Sequence, residues 1–194
     1  MAELPNLTPA FPELFLAISA LALLMFGVFL NGTAKSVTHV ISYMAIGALV
    51  LSLLLVNTFT TQTGTTFNGL FITGAFPAFA KTLILGASAV TLFMSRDFFD
   101  RVNVHRFEFP ILAVLATIGM MMMVSANDLI SLYMGLELQS LSLYVMASIM
   151  RNDLKSTEAG LKYFVLGTLA SGMLLYGSSL VYGFAGTINF EIIS

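Results

Sequence analysis

Residues Asn127 to Met150 read NDLISLYMGLELQSLSLYVMASIM, an apolar run long enough to cross a bilayer that carries a glutamate, Glu137, near its middle. A spanning helix takes about 20 residues at about 1.5 Å rise each, which puts Glu137 close to the hydrocarbon midplane. An ionised side chain at that depth costs roughly 2.5–3.5 kcal/mol on insertion scales, a penalty that a purely structural helix has no reason to carry. Glu137 is therefore the first candidate functional residue. Helical spacing sets Tyr133, Ser140 and Tyr144 on its face, while most other positions are Leu, Met, Ile or Val. Such a polar seam has to meet neighbouring helices or a water-filled path, because lipid satisfies none of its hydrogen bonds.

The rest of the chain is equally apolar. Of its 194 residues 58 % are hydrophobic and 9 % charged, against about 25 % charged in soluble domains, and the mean hydropathy is +0.93. It reads as an integral membrane protein. The net charge of −2 and the lack of any basic cluster exclude nucleic acid as a partner. No cysteine is present, so there is no disulfide framework, thiolate nucleophile or cysteine-ligated zinc or iron–sulfur site. Two separated histidines, His39 and His105, argue against a protein-ligated haem or a catalytic zinc, and no metal site is expected. The N-terminal MAELPNLTPAFPE has no basic stretch ahead of its apolar run, so the first segment is expected to stay in the mature protein and not be cleaved as a signal.

Apolar runs bounded by charge or by Pro/Gly predict six spans: Phe11 to Leu30, Val37 to Val56, Ala75 to Ser95, Phe109 to Ala126, Asp128 to Met150 and Glu158 to Gly183. The fold class is an all-α polytopic transmembrane helix bundle. Pro12 and Pro110 stand at the starts of the first and fourth spans, where a missing N–H costs little, and Pro77 marks the true start of the third or lies just inside it. Lys35 falls between spans one and two, Arg96, Arg101 and Arg106 between three and four, and Arg151 and Lys155 between five and six; the opposite loops and the tail carry no Lys or Arg. Under the positive-inside rule both ends are periplasmic.

Two basic residues are left inside spans. Lys162 lies one turn into the sixth, four residues after Glu158, so it is either an interfacial salt bridge or a functional cation. Counting from the inner face, it sits about 12 Å from Glu137, too far for direct contact. Lys81 is expected to snorkel to the outer interface. Asn127 and Asp128 cap span five, and Gly160, Gly167 and Ser171 line a close-packed face of span six. In the Thr-rich outer loop, Asn68-Gly69 between short β-prone runs signals a hairpin with a two-residue turn, with an irregular loop as the alternative. The inner loop RDFFDRVNVHRFEF mixes charge and aromatics as an interfacial segment does.

Asn127 through Leu180, with MGLELQSLSLYVMASIMRND followed by KSTEAGLKYFVLGTLASGMLLYGSSL, resembles the subunit N family of bacterial proton-pumping NADH–quinone oxidoreductase, respiratory complex I. That family belongs to the antiporter-like proteins related to Mrp-type sodium/proton antiporters. The resemblance implies part of an inverted-repeat fold, with residues 1–108 as three N-terminal spans and 109–194 as the first three helices of the first repeat. It also implies that Glu137 is the protonatable Glu of the fifth helix and that Lys162, in EAGLKYF, is the lysine of the sixth. The partner lysine that the family carries on its seventh helix has no counterpart before Ser194.

What the resemblance implies for function is a membrane-arm subunit contributing to proton translocation coupled to quinone reduction, in a multi-pass location in the bacterial inner membrane. Glu137 and Lys162 would carry the proton, with Tyr133, Ser140, Tyr144 and Lys81 as a secondary polar path. Other membrane subunits would be the partners, together with the lipid bilayer. NADH, FMN, iron–sulfur clusters and quinone would belong to other subunits, so no redox centre is expected on this chain. The alternatives are a stand-alone Mrp-like cation/proton antiporter, or a membrane scaffold in which Glu137 stays protonated and simply binds a neighbouring helix.

Overall fold

The computed structural model describes residues 7–30, 32–60 and 63–194. The expectation about an uncleaved N-terminus rests partly on residues 1–6, which lie outside the described residues, as do Thr61 and Gln62 of the Thr-rich loop. A short 3-10 turn, Thr8–Ala10, leads into α1 (Phe11–Phe29), which is followed by α2 (Ala34–Phe59), strands β1 (Gly64–Thr66) and β2 (Phe71–Thr73), α3 (Ala75–Val102), α4 (Glu108–Ser125), α5 (Leu129–Ala147), α6 (Leu154–Ala185) and a final turn, α7 (Phe190–Ile193). Helices α1 to α6 are each long and apolar enough to span a membrane.

Hydropathy locates the spans because a bilayer leaves a backbone no partner but itself, so every apolar run must close its hydrogen bonds as a helix. It locates their ends less well. The third span does not stop at Ser95: α3 continues to Val102 and ends on Asn103, which adopts the left-handed conformation at φ 59°. Arg96 and Arg101 are consequently helical, and the loop expected to lie flat on the membrane is a short corner before α4. The polar extension is held by its neighbours. Arg96 donates to the Tyr43 hydroxyl at 2.7 Å and stacks over that ring at 3.9 Å, while the Asp100 carboxylate lies 3.6 Å from the Lys35 ammonium and 3.2 Å from the His39 ring. Pro77 lies within α3, whose first residue is Ala75.

The hairpin forms, but with a wider turn than Asn-Gly predicts. Thr66 pairs with Phe71, so four residues, Phe67 to Leu70, make the connection, and Phe67, Asn68 and Gly69 all take positive φ. β2 also bridges to Ala126, and the Asn127 side chain donates to Gly69 O at 2.8 Å. These contacts tie the hairpin to the α4–α5 corner. They define one end of the bundle, and Lys35, Arg101, Arg106 and Arg151 lie in or beside the connections at the other.

The apolar core belongs to the first four helices. Leu16, Ala20 and Leu23 of α1, Ile41, Ala45 and Leu49 of α2, Leu85 and Leu92 of α3, and Val114, Ile118 and Met121 of α4 recur at three-, four- or seven-residue intervals and interlock. α5 packs on α4 where two glycines meet. A methyl group on Gly119 would lie 2.6 Å from Gly135 O and from Gln139 N, so the two backbones touch. α6 packs on α5 through one stripe and leaves most of its surface exposed.

Candidate functional site

Glu137 is the ninth of the 19 residues of α5, the mid-helix position its place in the sequence predicts. Asp128 starts that helix by accepting the N–H groups of Ile130 and Ser131, both at 2.9 Å, as a capping carboxylate should. The cap fixes where the first turn begins and therefore the azimuth of every residue after it. Tyr133 and Glu137, one turn apart, both point to α6.

α6 returns antiparallel with its small residues inward. Gly160 sits against Ser148, Gly167 against the Tyr144 ring, and Ser171 against Glu137, each step inward on one helix matched by a step outward on the other. Ser171 donates its hydroxyl hydrogen to Oε1 of Glu137, and the Tyr133 hydroxyl lies 3.0 Å from Ser171 Oγ. Tyr133, Ser171 and Glu137 form one continuous hydrogen-bonded chain across two spans. Each hydroxyl is both donor and acceptor. With Glu137 ionised, hydrogens point toward the carboxylate; with Glu137 protonated, its O–H donates to Ser171 and the serine hydrogen turns to the tyrosine oxygen. The chain keeps its bonds in either state, which a fixed cation or a backbone N–H could not do.

Ser171 lies in the close-packed stripe that the sequence predicts, and it also bonds Glu137, a contact the sequence reading did not include. The signal was available in the antiparallel register, which brings the one hydroxyl of the small stripe level with Glu137. The remaining seam residues separate. Ser140 is half-buried and makes no side-chain hydrogen bond among the described residues. Tyr144 is buried and packs its ring edge-on against Tyr163 at 4.8 Å and Phe164 at 5.8 Å. Tyr144 thus fills space against Gly167.

Lys162 is not brought to Glu137. Its ammonium pairs with Glu158 at 2.5 Å on the open face of α6, with 69 % of its side chain exposed. It lies nine residues before Ser171, about 13.5 Å along the helix axis, in keeping with the separation read from the sequence. Lys81 does not snorkel. It is fully buried, and its Nζ meets Glu13 of α1 at 2.5 Å beneath the Phe71 ring. Glu13 drew no attention in the sequence because it stands in the first turn of α1, where an acidic residue is ordinary. No group of three or more potential metal ligands occurs among the described residues.

A family profile described as "NADH:quinone oxidoreductase/Mrp antiporter, TM" matches residues 126–194, the part that contains α5, α6 and the Tyr133–Ser171–Glu137 chain. NADH-quinone oxidoreductase subunit N of Paramagnetospirillum magneticum is 52 % identical over 98 % of this chain and 39 % of the relative. The resemblance to the subunit N family holds over the whole chain. Subunit N of Rhodospirillum rubrum is 55 % identical over 95 % of this chain and 38 % of the relative. Respiratory complex I from Thermus thermophilus contains a chain that superposes with a TM-score of 0.75 at 28 % identity, over 92 % of this chain and 38 % of that one. The chain spans about two fifths of the length of the subunit N relatives it matches. The mostly helical, six-span fold is that of the antiporter-like membrane subunits.

Proposed function

We propose that this chain is the first part of a membrane-arm subunit of NADH–quinone oxidoreductase, and that Glu137 takes up and releases a proton during translocation. The observation that carries this is the mid-span carboxyl of Glu137 bonded by the Ser171 hydroxyl, which in turn meets the Tyr133 hydroxyl, in a chain about half identical to subunit N. Redox chemistry elsewhere in the complex would change the charge along a row of buried Glu and Lys groups, and Glu137 would answer by changing its own. Ser171 and Tyr133 supply the hydroxyls through which that proton leaves or arrives. Lys162, on the same helix as Ser171 but about 13.5 Å away, serves the other end of the path through water or further side chains. Tyr144 and Ser140 shape the seam.

In this reading residues 1–108 are three N-terminal helices and 109–194 begin the first antiporter-like repeat. The hairpin end faces the periplasm and the basic end the cytoplasm of a bacterial inner membrane. NADH, FMN, iron–sulfur clusters and quinone are held by other subunits, in keeping with a sequence free of cysteine. The partners are the other membrane subunits of the complex, together with the lipid bilayer.

The test is Glu137→Gln in the full-length subunit within the assembled complex, with protons moved per electron measured in sealed vesicles. Assembly with a loss of coupled proton movement supports the reading. Full assembly with normal pumping contradicts it, and loss of assembly with unchanged pumping per complex favours the scaffold role. The family profile also names Mrp antiporters, which favours a second reading as part of a cation/proton antiporter. Sodium-dependent proton exchange in vesicles without quinone reductase activity would select it.

A further inference from the structure

At the basic end of the bundle, α1, α4 and α5 leave an apolar groove of about 270 Å³ between them. Leu21 and Leu24 of α1, Ile111 and Leu115 of α4 and Val145 of α5 form its walls. Leu21, Leu24 and Val145 are 64 %, 41 % and 50 % exposed, so the groove opens sideways, where spanning helices meet lipid. From Glu108 to Leu115 it follows α4 for about 10 Å, against about 15 Å for one leaflet of the hydrocarbon core.

Two charged side chains stand at its mouth. Glu108 is the first residue of α4, and Arg151 lies in the turn between α5 and α6. Arg151 is exposed and Glu108 partly so. Neither makes a side-chain hydrogen bond or an ion pair among the described residues, and Oε2 of Glu108 is enclosed without a partner. A carboxylate in the first turn suits the positive end of α4, which accounts for its place but not for its unbonded oxygens. Neighbouring charges of this end are engaged elsewhere: Lys35 and His39 with Asp100, Arg96 with Tyr43, and Asp153 with the Ser156 N–H. The groove therefore presents one cation, one carboxylate and an apolar slot, and nothing within the chain neutralises either charge.

We propose that this groove binds a phospholipid whose headgroup carries both a phosphate and a primary ammonium, which is phosphatidylethanolamine. The phosphate meets the Arg151 guanidinium, whose planar fork suits phosphate oxygens. The ammonium donates to Oε1 of Glu108, the oxygen that is not enclosed. One acyl chain lies along Ile111 and Leu115. Phosphatidylglycerol brings a negative charge to the mouth with no cation to offset Glu108, and the quaternary ammonium of phosphatidylcholine has no N–H to donate. Arg151 thus holds any phospholipid, while Glu108 selects among headgroups. The site requires only that these helices span a membrane and does not rest on proton translocation.

The test is photolabelling of the full-length subunit in its assembled complex, reconstituted into phosphatidylcholine vesicles. Trace lipids with the same diazirine-bearing chain carry an ethanolamine, glycerol or choline headgroup. Label on the α4 peptide containing Ile111 and Leu115 is mapped by mass spectrometry and normalised to label on the rest of the subunit. The ethanolamine probe is expected to exceed the other two by about two- to fivefold, the range that a partly exposed ion pair gives. Glu108→Gln should abolish that preference and Arg151→Gln should lower labelling by all three probes. Equal labelling by the three headgroups means a generic lipid shell and overturns the proposal. So do a preference for the glycerol headgroup, a preference that survives Glu108→Gln, and a peptide that no probe labels, which would mean that protein covers the groove. If Glu108→Gln fails to assemble, Arg151→Gln decides, and unchanged labelling in that variant overturns the site.

Discussion

Ser171 of α6 donates a hydrogen bond to Glu137 of α5, and through the same oxygen meets the Tyr133 hydroxyl at 3.0 Å. One serine therefore joins the two polar residues of the α5 seam that face α6. Ser171→Ala is expected to strand both at once. A hydrogen bond to a charged group contributes about 1.5–3 kcal/mol, so a lower thermal midpoint and slower coupled proton movement should appear together. Ser171→Thr, which keeps the hydroxyl, should restore the proton movement. Normal proton movement in Ser171→Ala would remove the serine from the path.

The α4–α5 crossing depends on Gly119 and Gly135. A methyl group on Gly119 would lie 2.6 Å from backbone atoms, which cannot swing aside as a side chain can. Gly119→Ala should cost about 1–3 kcal/mol of stability by overpacking. Gly47, mid-helix in α2, has nothing within 4 Å of a built methyl group, and Gly47→Ala should be neutral or stabilising by up to about 1 kcal/mol. Thermal unfolding of the two variants side by side checks the pair, and equal midpoints would contradict the close crossing.

Asp128 holds two N–H groups at the start of α5 and thereby sets the azimuth of Glu137. Asp128→Ala should cost about 0.5–2 kcal/mol, and Asp128→Asn, which can still accept, less. Amide hydrogen exchange at Ile130 and Ser131 reports the loss directly: faster exchange in the alanine variant than in the asparagine variant is expected.

Lys162 pairs with Glu158 on an exposed helix face. Such a pair contributes about 0.3–0.5 kcal/mol, so Lys162→Gln should leave the thermal midpoint within error. Any loss of proton movement in that variant then belongs to the charge and not to the fold. A large drop in the midpoint would show that the lysine is structural.

The contrast between Lys162 and Lys81 shows where the sequence stopped being legible. Both are single cations near the ends of apolar runs; periodicity leaves Lys162 open between an interfacial salt bridge and a functional cation and predicts that Lys81 reaches for the interface. Lys162 has its partner one turn away on its own helix, so the pairing is local and readable. Lys81 has its partner 68 positions earlier, on α1, and that contact exists only because α1 and α3 meet at the hairpin end. Glu137 was legible because a carboxylate in the middle of a span is conspicuous wherever the helix packs. The packing of Ser171 was legible but its bond to Glu137 was not, because a serine in a small-residue stripe looks alike whether it faces a carboxylate or a methyl group.

The sequence by itself determined six spans, their order, the segregation of positive charge to one end and the depth of Glu137. The physical reason is that a bilayer forces each segment to satisfy its own backbone, so these properties are written residue by residue along the chain. Tertiary structure alone decided the face that each helix turns inward. It brought Gly119 onto Gly135, Ser171 onto Glu137 and Glu13 onto Lys81, and it carried α3 past its apolar stretch by giving Arg96 and Asp100 partners on α2. Those choices depend on side-chain volumes and charges from helices far apart in sequence, and hydropathy is blind to them.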